Sequence, residues 1–258
     1  MSNIHVFHGA DGKTGTTMIT QSVAELIASN YKDIKVMMIA MHGRPGTEYV
    51  DQVGESIEGV KLYLSNRLLD SQKLIEDCRK TDNFYMLGGV KSIGQVRSYH
   101  PNMAAYLLES IESKFDLILV DGGNDIENGL TVGALEYMGE KYCVITQQES
   151  ILRRYESVKP IYEELGITFS LYIVNRYNDG DACDLYYIGE RLSLDQRELM
   201  KVEASGYGRQ AEWDHRTLLA YKNEGYFRDI HSIANRVLLQ AQIDPIHMGR
   251  KKKWSLFT

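Results

Sequence analysis

Residues 9–17, GADGKTGTT, place glycines at 9, 12 and 15 directly after a short apolar run and before an amphipathic stretch. Glycine lets backbone N–H groups turn inward around an anion, and a helix start adds a positive end. The chemistry these residues suggest is phosphate binding; a plain glycine-rich turn is the alternative. The phosphate-loop pattern GxxxxGK[ST] can be laid on the segment in two registers. With Gly12-Lys13-Thr14 as the GKT, Phe7 falls on the first glycine and the preceding strand shrinks to almost nothing. With Gly15-Thr16-Thr17 as the triplet, Ala10 takes that place, the strand ends at His8 and the helix begins at Thr17. The second register is preferred. It puts Thr16 where a phosphate-binding lysine would stand.

A second candidate is Asp121, which follows the apolar run 117–120, LILV. A carboxylate at the carboxyl end of a buried strand is well placed to hold a water on Mg²⁺; a turn or helix cap is the other reading. His42 follows a strand pattern at 35–41 and reads as an ordinary polar loop residue, since nothing nearby in sequence would orient it as a base. Asn175 and Arg176 follow the strand pattern 169–174; the amide of Asn175 offers both a donor and an acceptor, although asparagine is also a common turn residue.

The loop and the helix after it (ADGKTGTT followed by MITQSVA) resemble the deviant Walker-A loop, KGGxGK[ST], and first helix of the ParA/MinD superfamily of dimeric P-loop ATPases. By position, Asp11 replaces the signature lysine, Gly12 and Gly15 match glycines, Thr16 replaces the Walker lysine, and Thr17 matches the hydroxyl that would hold Mg²⁺. Lys13 and Thr14 complete the phosphate-binding set Asp11–Thr17. Lys13 takes a place that is usually glycine, from which its amine could reach phosphate. Residues 115–123 resemble the Walker-B strand and its following switch, which makes Asp121 the second metal residue. The resemblance makes Asn175 and Arg176 base-binding candidates and places residues 203–212 at the base-proximal loop, where a subunit contact is equally open. At the end of the second strand the family carries acids; here Ala40 and His42 stand instead.

The resemblance implies ATP or ADP with Mg²⁺ as ligands and a homodimer as the working form. Loss of both the lysine and the strand-end acid implies weak or absent hydrolysis, because phosphoryl transfer depends on positioning and charge stabilisation. Such erosion is similar to the TadZ/CpaE pilus-assembly and localisation branch. Two other functions stay open: an active ATPase that uses Lys13, and a scaffold that has lost nucleotide and kept only the dimer surface.

These residues need a frame that brings distant strand ends together. Short runs that are apolar on both faces, at 4–7, 35–41, 84–87, 116–120, 142–146, 169–174 and 200–203, alternate with helical patterns at 17–28, 103–113, 150–165, 185–192 and 226–241. That alternation predicts a single α/β doubly wound, mainly parallel sheet with helices on both faces. Residues 1–246 are expected to form this domain, with 247–258 as a tail. In the tail, Arg250, Lys251, Lys252 and Lys253 precede Trp254, Leu256 and Phe257, a pattern suited to contact with an anionic membrane; MinD-like proteins end in a similar basic anchor, and a disordered arm is the alternative.

The net charge of −6 argues against a generic nucleic-acid surface. The three dispersed cysteines, Cys78, Cys143 and Cys183, form neither a CxxC pair nor a zinc set. A cytoplasmic protein, peripheral at the inner membrane face if the tail binds, is the expected setting.

Overall fold

The computed structural model describes residues 3–42, 49–50 and 52–247. The elements run β1 (Ile4–Gly9), α1 (Thr16–Asn30), β2 (Val36–Ala40), β3 (Glu55–Ser56), α2 (Lys61–Asn66), α3 (Ser71–Asp77), β4 (Phe84–Gly88), α4 (Pro101–Ile111) and β5 (Leu117–Asp121), continuing with α5 (Gly129–Glu136), β6 (Glu140–Thr146), α6 (Glu149–Glu164), β7 (Leu171–Tyr177), α7 (Leu185–Leu192), β8 (Leu199–Glu203), α8 (Gly208–Trp213) and α9 (Glu224–Gln240). The basic tail expected to touch membrane, Arg250 to Phe257, lies outside the described residues.

The strands form one sheet in the order β3-β4-β2-β5-β1-β6-β7-β8, and every ladder between them is parallel. Parallel strands need long crossovers, and the intervening helices supply them. Successive strand residues serve opposite layers. In β5, Ile118 and Val120 join the core under α4 and α6, whereas Leu117 and Leu119 join the core under α1 and α9. This two-sided burial is why the strands read as continuous apolar runs.

The register decides what meets at the carboxyl edge. Phe7 of β1 and Ala40 of β2 both sit opposite Asp121. Strand β1 lies between β5 and β6; strands β2 to β5 occupy one side of it and β6 to β8 the other. That is the switch point where ligands bind in doubly wound sheets.

The elements absent from the sequence reading are the short ones: β3, α2, α3, α5 and α8. In α5, Gly129 and Gly133 dilute the helical signal. A Cβ at these positions would come within 2.2 Å of the Tyr99 carbonyl and 2.1 Å of the Pro101 carbonyl. The glycines are there so that α5 can lie against the start of α4.

Candidate functional site

Strand β1 leaves the sheet between two neighbours. The Gly9 N–H donates to the Gly123 carbonyl at 2.6 Å and the Ala10 N–H to the Val144 carbonyl at 2.9 Å. A Cβ on Gly9 would meet the hydroxyls of Thr14 and Thr16 at 2.5 and 2.6 Å, so only glycine lets the loop fold back here. Two residues of the loop are left-handed, Lys13 with φ 63° and Gly15 with φ 86°. The Asp11 carboxylate accepts the Gly12 N–H at 2.6 Å, and the Thr14 hydroxyl donates to the Asp11 carbonyl at 3.2 Å.

Helix α1 then starts at Thr16. Helices α3, α5, α7 and α9 carry Asp70, Asn128, Asp184 and Asn223 as side-chain caps, whereas α1, like α2, α4, α6 and α8, has none, with Gly15 at its cap. Its first N–H groups face the loop concavity, an arrangement suited to an anion. Thr16 is buried, and its hydroxyl lies 3.1 Å from that of Thr14. Lys13 is exposed on the rim.

Two long-range contacts fix this loop. The Asn175 amide donates to the Thr14 carbonyl at 2.7 Å, with both residues buried. The Thr17 hydroxyl donates to Asp121 Oδ2 at 2.5 Å. Asp121 is fully buried, and its Oδ1 accepts the Gly123 N–H at 3.0 Å. On the other side of the carboxylate stands His42, with Nε2 3.5 Å from Asp121 Oδ2 and only 4% of the residue exposed. His42 is thus no ordinary loop residue. Its orienting partner lies on β5, out of reach of any local sequence signal.

One stripe of α1 holds the surroundings. Thr17 bonds to Asp121. One turn on, the Gln21 side chain pairs with both backbone groups of Tyr49, at 2.9 and 3.0 Å. A further turn on, Glu25 accepts from the Gln21 amide at 2.8 Å and from the Thr217 hydroxyl at 2.5 Å. Burial pushes the Glu25 carboxyl up to about 7 against the pull of these two donors. Burial likewise pushes the Tyr49 phenol up to about 12, with the Glu212 carboxylate adding to the rise and Arg176 opposing it.

Together these parts enclose a cleft of about 470 Å³, within the range of small-molecule sites. Of the residues singled out in the sequence, Asp11, Lys13, Thr14, Gly15, Thr16, Thr17 and Arg176 line it. Asp121 lies directly behind Thr17 and His42. Asn175 holds the loop from below. Arg176 has φ 54° at a register shift in the β7–β8 ladder, and that bend brings it to the rim. Met18, His42, Tyr49, Gly123, Asn124, Glu212 and His215 also line the cleft; of these the sequence singled out His42, as an ordinary polar loop residue, and Glu212, which was expected in a base-proximal loop at 203–212, lies in helix α8. Among the described residues, no three His, Cys, Asp or Glu side chains cluster as a metal site, and no helix is long and apolar enough to cross a membrane.

Solved structures with the same architecture are numerous. A ParA family ATPase from Chlorobium tepidum superposes with a TM-score of 0.78 at 18% identity, over 90% of this chain and 98% of that one. The fold is that of the ParA/MinD ATPases. The cell division ATPase MinD from Pyrococcus furiosus aligns at a TM-score of 0.72 and 17% identity, covering 93% of this chain and 99% of MinD. A point variant of Cyanothece McdA, solved as an ATP complex, aligns at 0.69 and 15% identity, over 95% of this chain and 98% of McdA. Neither a protein-family model nor a curated protein matches the chain by sequence. The cleft lies at the β1–α1 loop.

Proposed function

We propose that this chain binds adenine nucleotide, ATP or ADP, at the β1–α1 loop and hydrolyses it weakly or not at all. The observation that carries the reading is the start of α1. The helix opens at Thr16 with its N–H groups uncapped, and the first side chain is a buried threonine bonded to Thr14. Backbone groups are ready to hold phosphate, yet a cationic side chain is missing at the place from which it would follow charge toward the leaving group. On this reading the Walker A loop is atypical. Asp11 through Thr17 hold the phosphates and Arg176 serves the base side of the cleft, while Asn175, expected from the sequence to read the base, is spent on the Thr14 carbonyl and holds the loop.

A divalent cation fits the same site. A Thr17 hydroxyl and a buried Asp121 carboxylate oxygen stand together at the mouth of the loop, a hard oxygen pair suited to Mg²⁺. When bound, the ion would neutralise phosphate charge. MinD from Pyrococcus horikoshii, with this fold, was solved with Mg-ADP, and a Borrelia burgdorferi plasmid partition protein with AMPPNP.

The wider role follows by analogy of fold. The chain acts as a homodimeric spatial or assembly organiser of TadZ/CpaE type, engaging a protein partner as Aquifex aeolicus MinD does in its complex with MinC. The basic tail from Arg250 to Phe257 gives each protomer a weak membrane contact, and the two copies in a dimer raise the avidity.

Calorimetry with ADP and ATP, with and without Mg²⁺, tests binding; phosphate release from wild type, Lys13→Ala and Thr16→Lys tests turnover. The reading expects micromolar to millimolar binding, negligible turnover in wild type, and at least about tenfold tighter ATP binding in Thr16→Lys. A robust turnover abolished by Lys13→Ala identifies an active ATPase instead. No binding at millimolar nucleotide leaves the scaffold.

A further inference from the structure

We infer that His42 is a nitrogen ligand in the cation site of this cleft, so that the site prefers a first-row transition cation such as Mn²⁺ over Mg²⁺. The inference rests on the nucleotide reading above and names the metal that accompanies it.

Two further donor atoms of different chemistry lie close to the Asp121 carboxylate. Asp121 Oδ2 is 2.5 Å from the Thr17 hydroxyl and 3.5 Å from His42 Nε2. Donors about 2.0–2.2 Å from a shared ion stand about 3 Å apart at a right angle and about 3.5 Å apart at a tetrahedral angle. The imidazole and the carboxylate already have that separation. The hydroxyl would have to move by only about 0.5 Å as it turns from the carboxylate to the ion. Remaining coordination positions would be open to phosphate oxygen and water on the cleft side.

The placement of His42 is built into the fold. Ala40 pairs with Asp121 across β2 and β5, and the Met41 N–H donates to the Asp121 carbonyl at 2.8 Å. The Thr131 hydroxyl donates to the Gly122 carbonyl at 2.9 Å and lies 3.3 Å from the Met41 carbonyl, joining the ends of β2 and β5. Opposite the ring, Gly123 has φ 60°, and a Cβ there would strike the His42 Cβ at 2.5 Å. The glycine removes the one side chain that would push His42 out of the site. An imidazole on a mobile loop would need none of this.

The chemistry then sets the preference. Mg²⁺ takes oxygen ligands, whereas imidazole favours first-row transition cations, Mn²⁺ least and the later metals increasingly.

Electron spin-echo spectroscopy of the full chain loaded with Mn²⁺ and ADP reads the contact directly. The expected result is ¹⁴N modulation from a coordinated imidazole in wild type, absent in His42→Ala and His42→Gln. In parallel, Mg²⁺ should displace Mn²⁺ at about tenfold lower concentration from either variant than from wild type. The wild-type signal needs no variant to fold. Manganese bound with ADP but without ¹⁴N modulation overturns the inference and leaves the nucleotide reading standing. So does ADP binding, seen by calorimetry, that draws in no Mn²⁺. Absence of both ADP and Mn²⁺ binding overturns the inference and the nucleotide reading together.

Discussion

Asn175→Ala separates two roles that one asparagine could play. In the structure its amide donates to the Thr14 carbonyl at 2.7 Å, with Thr14 1% and Asn175 6% exposed. Its Nδ2 also lies where a Cβ on Gly15 would fall, 2.4 Å away, so the side chain packs directly under the turn. Truncation leaves a buried carbonyl without its donor, at a cost of about 1–3 kcal/mol. If about 2 kcal/mol of this falls on the binding-competent loop, affinity drops about 30-fold. Because the loss acts through the loop, it should be nearly equal for ADP, GDP and inorganic pyrophosphate. Asn175→Asp should be worse, since it sets a carboxylate oxygen against the Thr14 carbonyl. Calorimetry with the three ligands on wild type and both variants measures the effect; urea unfolding should show a matching fall in stability. A loop-holding role is refuted if Asn175→Ala keeps pyrophosphate affinity within about twofold while losing ADP. That outcome would make the residue a reader of the adenine edge alone.

Thr17→Ala removes one hydroxyl from the cation site and one tether of the loop, and should cost about tenfold more ADP affinity with metal than without it, measured by titration with and without EDTA. Gly123→Ala combines a left-handed φ with a clash against His42 and should lower stability by about 1–3 kcal/mol in urea unfolding. Glu25 is held protonated up to about pH 7 by burial, so the folded state binds the extra proton between about 4.5 and 7 and stability falls as pH rises through that window. Glu25→Gln should abolish the fall and gain at most about 3 kcal/mol at pH 8 relative to wild type, by urea midpoints at pH 5 and pH 8. His5 and His8 are pushed down to about 4 by burial; the unfolded chain protonates them first, so their contribution is lost as pH falls from about 6.5 to 4, most visibly in the Glu25→Gln background.

The frame was legible because its strands are buried on two sides. The run at 117–120 needs no partner information to read as a central strand, and Asp121 at its end followed from the same pattern. Helices α1, α4, α6 and α9 are long enough to show their period. Helix α2 is six residues long and buries Leu64 alone while leaving Leu62 and Tyr63 exposed, so its apolar residues mark no periodic face. The loop residues were legible as a local motif, but their tethers were not. The Asn175 bond to Thr14 spans 161 positions, and the pairing of His42 with Asp121 exists only because β2 lies beside β5. Tyr49 and Glu212 reach the cleft through contacts that no periodicity encodes.

Thr17, Gln21 and Glu25 recur every four residues on α1, and each grips a different piece of the chain: the end of β5, the stretch at Tyr49, and the stretch at Thr217. Two walls of the cleft are therefore hung from a single rod. A molecule that tugs the near end of that rod cannot move one wall without disturbing the other, so occupancy would be felt on both outer flanks at once, as a pull on a keel is felt at port and starboard.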